Sequence, residues 1–548
     1  MSDQGSTATP VHTDAVVIGA GFGGIRMLIE LQKLGLSAVA LEAGTDVGGT
    51  WYWNRYPGAR TDSESWSYCF PFPEIEQEWN WSERYPGQVE VQKYIAFVAD
   101  RFDVRRNIRF SHRVLAATYD KPSNLWTITT ENGQQFTCTY FLPALGHLSV
   151  PQEPQFEGIN SFTGNIYRTS QWPKEHVDLT GKRVAVIGTG ASGIQTIPHV
   201  AEAAEHLTVF QRTPNYVMPA QNHDLDDEFR QKIKADYAAV WDKARGHVFG
   251  FPMDPAGRMY DDVVVEAERE RIFEEGWQNG GFHFVFETFD DLILDQRSND
   301  AAADFIRKKI AETVKDPAVA ELLTPRGYPY VSKRPPSGTN YYETFNRDNV
   351  TLVDIQSNPI EAITANGLRT SDRDYKFDVI ILATGFDAVT GALNNIDIRG
   401  EDRVKLSQYW AGGPETFLGI GTPGFPNMLM ICGPQSAYAN IPVIIEGVVN
   451  WLSRALNFMK DNGYDRMQPT EEAAEQWTAH VSDVFNMTLL PSGESANSWY
   501  LGANTPGKPR RVLFYFGGAA GYFQELEKSA GNDFAGFEFS NVPVKAHN

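Results

Sequence analysis

The sequence predicts an α/β chain built from two Rossmann-like dinucleotide-binding domains and an inserted helical subdomain. Two GxGxxG turns predict the paired domains, because each directly follows a β-branched, strand-like run. They are Ala15-Val16-Val17-Ile18-Gly19-Ala20-Gly21-Phe22-Gly23-Gly24 and Val184-Ala185-Val186-Ile187-Gly188-Thr189-Gly190-Ala191-Ser192-Gly193. A shift to charged, helix-forming sequence between about Gln221 and Tyr330 predicts the insert.

After each turn come a helix-period segment and a second apolar run, Ser37 to Leu41 and then Leu207 to Phe210, so each stretch reads as a βαβ unit. The turn must bend tightly and let the backbone approach a pyrophosphate, whose charge then sits at the positive end of the next helix. Candidate contacts are Gly19, Gly21, Phe22, Gly23 and Gly24 in the first unit, and Gly188, Thr189, Gly190, Ala191, Ser192 and Gly193 in the second. The residue closing the second strand selects the nucleotide. Glu42 can accept hydrogen bonds from ribose hydroxyls, which suits FAD or NAD. In Gln211-Arg212-Thr213 the guanidinium can pair with a 2′-phosphate, which suits NADPH.

Phe377 to Asp387 is a buried-strand pattern ending in a glycine turn and an acid. It resembles the ATG motif by which two-nucleotide flavoproteins return the chain from the NADPH domain to the FAD domain, and Tyr140 to Gly146 is similar to its outgoing counterpart. The expected division is 1–145 and 385–548 for FAD, 150–220 and 331–384 for NADP, and 221–330 for the insert, with Asp387 a further cofactor candidate. Within the insert, Asp226 to Trp241, Val263 to Trp277 and Ala301 to Lys315 read as helices with solvated acidic faces that can wall a substrate pocket.

Composition excludes other classes. A length of 548 residues suggests two to four domains. Lys+Arg 48 against Asp+Glu 69 gives a net charge of −21, which repels nucleic acid and anionic membranes. Only Cys69, Cys138 and Cys432 occur, so neither a disulfide framework nor a CxxC zinc or redox pair is available, and no metal is expected. Met1 to Thr13 lacks signal-peptide character, and no apolar run is long enough to span a membrane. A cytoplasmic protein, monomeric or weakly homo-oligomeric, is expected.

The most specific residues lie between the two units. Gly48-Gly49-Thr50-Trp51, Tyr56-Pro57-Gly58 and Asp62 match, without a gap, the fingerprint GGxWxxxxYPGxxxD of type I Baeyer–Villiger monooxygenases. Along nearly its whole length the chain resembles the cyclohexanone and phenylacetone monooxygenase family. A second signature, FxGxxxHxxxW followed by Pro or Asp, reads here Phe162-x-Gly164-x-x-x-Arg168-x-x-x-Trp172-Pro173, with arginine where the family has histidine. That histidine is thought to couple domain movements, and Arg168 cannot supply a neutral imidazole.

The resemblance implies an FAD- and NADPH-dependent enzyme that inserts one oxygen atom from O2 beside a ketone carbonyl through a C4a-peroxyflavin, giving an ester or lactone. An anionic peroxide needs a fixed cation. Lys333-Arg334-Pro335 matches the family's Lys-Arg segment, so Arg334 is the expected catalytic cation and Asp62 its orienting partner. The resemblance places Thr50, Trp51, Asp62, Tyr68 and Val114 at FAD, and Arg60, Thr189 to Gln195, Arg212, Thr213, Lys333 and Trp499 at NADPH. Lys333 with Arg212 would clamp the 2′-phosphate. Gly433 to Pro442 corresponds to a loop near the ketone, and Leu145, Phe249, Phe282 and Phe284 are candidate walls or plain core. Alternatives are a flavin monooxygenase oxidising nitrogen or sulfur and a noncatalytic NADPH sensor. A disulfide reductase lacks its cysteine pair.

Overall fold

The computed structural model describes residues 9–541; residues 1–8 of the polar N-terminal segment lie outside them. The first glycine turn joins strand Ala15–Ile18 to helix Phe22–Lys33, which leads into strand Ala38–Leu41. These strands form a parallel sheet in the order Ile108–Arg109, Ala38–Leu41, Ala15–Ile18, Tyr140–Pro143. The second turn joins strand Arg183–Ile187 to helix Ala191–Ala203 and strand His206–Gln211. Its sheet, also parallel, runs Val350–Asp354, His206–Gln211, Arg183–Ile187, Val379–Leu382, Asn165–Arg168.

Parallel strands covered on both faces read as continuous apolar runs rather than alternating ones. On one face of the first sheet, Val16, Ile18, Val39 and Leu41 pack against Trp126, Ile128 and Phe136, which lie on antiparallel strands at the middle of a mixed five-stranded sheet. On the other face Ala15, Val17 and Ala40 meet helix Phe22–Lys33. The second sheet repeats the plan. Ala185, Ile187 and Ile380 face Ile363 and Leu368 of a three-stranded meander, while Val184 and Val186 face Ile194 and Ile197 of the helix.

The two turns are built alike. Gly19 (φ +103°) and Gly188 (φ +111°) would place a Cβ 2.7 Å from the Ala144 carbonyl and 2.4 Å from that of Ala383. A Cβ at Gly24 or Gly193 would lie 1.9 Å or 2.2 Å from the carbonyl of Gly19 or Gly188. At Gly190 it would meet nothing within 4 Å.

The insert differs from the expected helices at their ends. The stretch 226–241 divides into Asp227–Ala235 and Tyr237–Gly246, because Asp236 (φ −146°, ψ 56°) leaves the helical region and its carboxylate caps the Ala239 N–H. Val263 to Val265 stay outside helix Glu266–Asn279, as β-branched residues favour. Asp295 caps the third helix and starts it earlier, at Gln296. Phe284, a candidate pocket wall, is instead fully buried among Phe273, Phe305 and Tyr330. No helix among the described residues is long and apolar enough to cross a membrane.

Gly193→Ala is expected to lower thermal stability by about 1–3 kcal/mol or more through overpacking. Gly190→Ala should leave stability unchanged while narrowing the space a ligand would use, and thermal unfolding of both variants checks the contrast.

Candidate active site

The segment after strand Ala38–Leu41 carries the long fingerprint and lies against both glycine turns. Gly48 (φ +137°) donates its N–H to the Ala20 carbonyl at 3.0 Å, and Gly49 (φ +53°) packs on Gly21. The short helix Thr50–Trp53 follows, its Trp51 buried and donating from Nε1 to the Tyr68 hydroxyl at 3.3 Å. Phe22 meets the edge of Tyr68, with ring centroids 5.3 Å apart. The Tyr56 hydroxyl donates to Gln195 Oε1 at 2.9 Å, and Gln195 Nε2 donates to the Arg60 carbonyl at 3.1 Å. Gly58 (φ +83°) permits this closeness: a Cβ there would lie 2.3 Å from the Gln195 carbonyl. The fingerprint is thus fastened to the helix of the second unit.

Asp62 ends the fingerprint beside Arg334. Arg334 Nη2 donates to Asp62 Oδ1 at 2.6 Å, with side chains 28% and 14% exposed. The Arg334 guanidinium also lies 5.4 Å from the centroid of the Phe282 ring. Burial opposes the charge, but Asp62 outweighs it and the guanidinium is held more firmly protonated than usual. Two hydroxyls join this centre: Tyr438, which sequence reasoning placed only within the loop Gly433 to Pro442 near the ketone, and Tyr500. Tyr500 donates to the Tyr438 hydroxyl at 3.1 Å, and Tyr438 faces Arg334. Burial raises Tyr438, with Arg334 opposing, and pushes Tyr56 and Tyr68 up to about 12. Near neutral pH the site holds a cation, its carboxylate partner and uncharged hydroxyl donors. Tyr500 adjoins Trp499, and that neighbour was its only sequence signal.

The remaining candidates fall into two groups around this centre. Glu42 accepts from the N–H of Ala20 at 2.8 Å and of Gly44 at 2.6 Å, one on each carboxylate oxygen. Burial raises its pKa. Val114 is buried at the start of strand Val114–Asp120. Around the second turn, Thr189 Oγ1 donates to the Thr213 carbonyl at 3.4 Å. Burial, and after it the charge of the exposed Arg212, push Lys333 down to about 8. Trp499 packs on Tyr438 and Phe514. Phe249 meets the edge of Tyr438, so it and Phe282 line the centre, whereas Leu145 packs against the core between the first sheet and the strands that carry Trp126, Ile128 and Phe136.

Three candidates have their side chains committed elsewhere. Asp387 accepts from Lys508 Nζ at 2.6 Å. Arg60 pairs with Glu83 at 3.1 Å. Arg168, at the end of its edge strand, pairs with Glu153 at 2.8 Å.

Both glycine turns fit a pyrophosphate. The helices after Gly21 and Gly190 have no side-chain cap and no acid in the first turn, so their N-terminal N–H groups remain available to an anion. The open space at Gly190 is a cradle that a Cβ would fill.

Comparison with known proteins extends this picture. A family profile described as "Pyridine nucleotide-disulphide oxidoreductase" matches residues 16–247. The 2-oxo-Δ3-4,5,5-trimethylcyclopentenylacetyl-CoA monooxygenase of Pseudomonas putida is 44% identical over 541 residues, covering 96% of this chain and 98% of that protein. A Baeyer–Villiger monooxygenase of Pseudooceanicola batsensis is 43% identical over 513 residues, 93% of each chain. The crystal structure of OTEMO complexed with FAD and NADP matches with a TM-score of 0.93 at 43% identity, covering 97% of this chain and 100% of that one.

Proposed function

The chain belongs to the Baeyer–Villiger monooxygenase family, and we propose that Arg334, held by Asp62, is the cation on which its reaction turns. The protein is an FAD- and NADPH-dependent monooxygenase that inserts one oxygen atom from O2 beside a ketone carbonyl, giving an ester or lactone. The relatives named above support this reading over nitrogen or sulfur oxidation and over a noncatalytic sensor. Bound FAD, reduced by NADPH, supplies the electron transfer and oxygen activation.

The chain's own residues do the rest. The turn Gly19 to Gly24, with Glu42, Thr50, Trp51, Tyr68 and Val114, would hold FAD; each Glu42 oxygen has lone-pair capacity left for a ribose hydroxyl. The turn Gly188 to Gly193, with Gln195, Thr213 and Trp499, would hold NADPH, and Arg212 with Lys333 would grip the 2′-phosphate. The strands of the first parallel sheet fall within 1–145 and those of the second within 150–220 and 331–384, which supports a division into 1–145 with 385–548, 150–220 with 331–384, and insert 221–330.

Arg334 offers several N–H donors to negative charge developing on the ketone oxygen, and it cannot lose its proton in doing so. Asp62 takes one of those donors at 2.6 Å and Tyr438 lies within hydrogen-bonding reach of the guanidinium, which together orient it. Tyr438 accepts from Tyr500, so its own O–H remains free to donate into the same space. Phe249 and Phe282 give the substrate side an apolar wall that helps exclude water. The single observation that carries this reading is the Asp62–Arg334 pair at the meeting of the fingerprint and the segment that follows the insert.

Arg334→Ala is expected to cut ester formation by at least ~10²-fold, as loss of an oxyanion donor does, in protein with full flavin content; ester formation at the normal rate would sink the assignment. The clamp predicts a cofactor-specific pH effect. Lys333 loses its charge as pH rises through about 8, so kcat/KM for NADPH should fall there while that for NADH stays level. Arg212→Glu should raise KM for NADPH far more than for NADH, and steady-state kinetics with both nucleotides check the pair.

A further inference from the structure

Behind the Arg334 site lies a buried charge network to which no role has been assigned. Glu64, two residues beyond Asp62, has a side chain only 5% exposed. Its Oε1 accepts from Arg84 Nε at 3.0 Å and Nη2 at 2.8 Å, and pairs with His283 Nε2 at 3.0 Å. On the other side of the ring, His283 Nδ1 lies 2.8 Å from Glu287 Oε2. Arg84 Nη1 also donates to the Asn279 carbonyl at 2.7 Å, at the C-terminal end of helix Glu266–Asn279.

The sequence positions of these groups give the network its meaning. Glu64 belongs to the segment that delivers Asp62, and Asp62 takes one edge of the Arg334 guanidinium. His283 follows Phe282, whose ring lies against the same guanidinium. The Glu64–His283 pair therefore joins the two segments that hold Arg334, one or two residues behind each point of contact. Side-chain placement to within about half an ångström decides whether a preorganised site works, and such precision comes from the groups behind it.

We propose that His283, paired with Glu64, is a positioning residue that locks the Asp62 segment to the Phe282 segment and so holds Arg334 in its working orientation. This rests on the role given to Arg334 above.

The charge state follows from the surroundings. Burial works against protonation of His283, but Glu287 and Glu64 outweigh it and push its pKa up to about 9. Facing groups on the neighbouring segments are Arg84, which shares Glu64, and Tyr85, which burial and Glu64 keep neutral. His247, pushed down to about 4 mainly by burial, is neutral and does not compete for a carboxylate at working pH. A pKa raised in the fold means that the pair's stabilisation is complete below the free-histidine value of ~6.5. It is lost as pH rises through about 9.

The test uses flavin-loaded protein at saturating NADPH and ketone, so that titration of Lys333 does not enter. His283→Gln keeps a hydrogen-bonding side chain without the charge. It is expected to raise the fraction of NADPH consumed without ester formation by about two- to tenfold at neutral pH, with little change in KM for NADPH. In the native enzyme that fraction should climb as pH passes about 9; in His283→Gln it should not change there. His283→Arg, permanently charged, should stay coupled across the range. Independently of activity, the Tm gap between native protein and His283→Gln should narrow as pH rises from ~6.5 to about 9. Native coupling and an unchanged pH profile in a folded His283→Gln protein would overturn the proposal. In an Arg334→Ala background, the His283 substitution should have no further effect on coupling. If Arg334→Ala itself remains fully active, the Arg334 assignment fails first; if it is inactive while His283→Gln behaves as native, only the positioning role fails.

Discussion

A guanidinium that must stay charged while partly withdrawn from water needs a carboxylate beside it, and the Asp62–Arg334 pair meets that requirement. Breaking a fully buried pair costs roughly 3–5 kcal/mol, whereas an exposed pair contributes about 0–1 kcal/mol. With side chains 28% and 14% exposed, this pair lies between those limits: dry enough for its field to be strong, open enough for a substrate to reach it. Much of the surrounding structure serves to bring these two residues together. Asp62 arrives on the first unit's fingerprint, Arg334 arrives after the insert, and neither segment reaches the other without the close backbone packing beneath them.

That packing is supplied by glycine, twice over. The contacts at Gly19 and Gly24 recur at Gly188 and Gly193, each filling the space where a Cβ would stand. Gly58 adds a third approach, between the fingerprint and the helix that carries Gln195. A hydrogen-bonded chain from Tyr56 through Gln195 to the Arg60 carbonyl then crosses from one unit to the other. The approach of the two units is thereby set by the close backbone contact at Gly58 and by the hydrogen bonds of Tyr56 and Gln195.

How far the sequence could be read depended on whether a constraint was local. The glycine turns and flanking strands were legible because a tight turn after a β-branched run leaves its own mark, and each strand lies within a few residues of its expected place. The break at Asp236 was not legible, since a charged helical period continues through it and only the capping geometry ends the helix. Arg334 and Asp62 were reachable through family resemblance alone; a Lys-Arg-Pro stretch taken singly is ordinary loop sequence. Phe284 carried the same apolar signal as Phe282, yet one ring faces the insert's core and the other faces a cation. Glu64, Arg84 and His283 left no signal at all, because Glu64 lies 20 positions from Arg84 and 219 from His283, and no local pattern links them.

The fold by itself does not select this chemistry. A profile of disulphide oxidoreductases covers residues 16–247, and those enzymes depend on a reactive pair of cysteines. Here Cys69, Cys138 and Cys432 are separately buried and free, and burial raises the pKa of each thiol, so none is disposed to act as a thiolate. What replaces them is a permanent cation, a carboxylate that orients it, and neutral hydroxyls at its side. A site that stabilises negative oxygen and offers no thiol is suited to oxygen transfer onto a carbonyl and unsuited to dithiol exchange. The difference between the two outcomes of this architecture therefore lies in the few side chains at the junction.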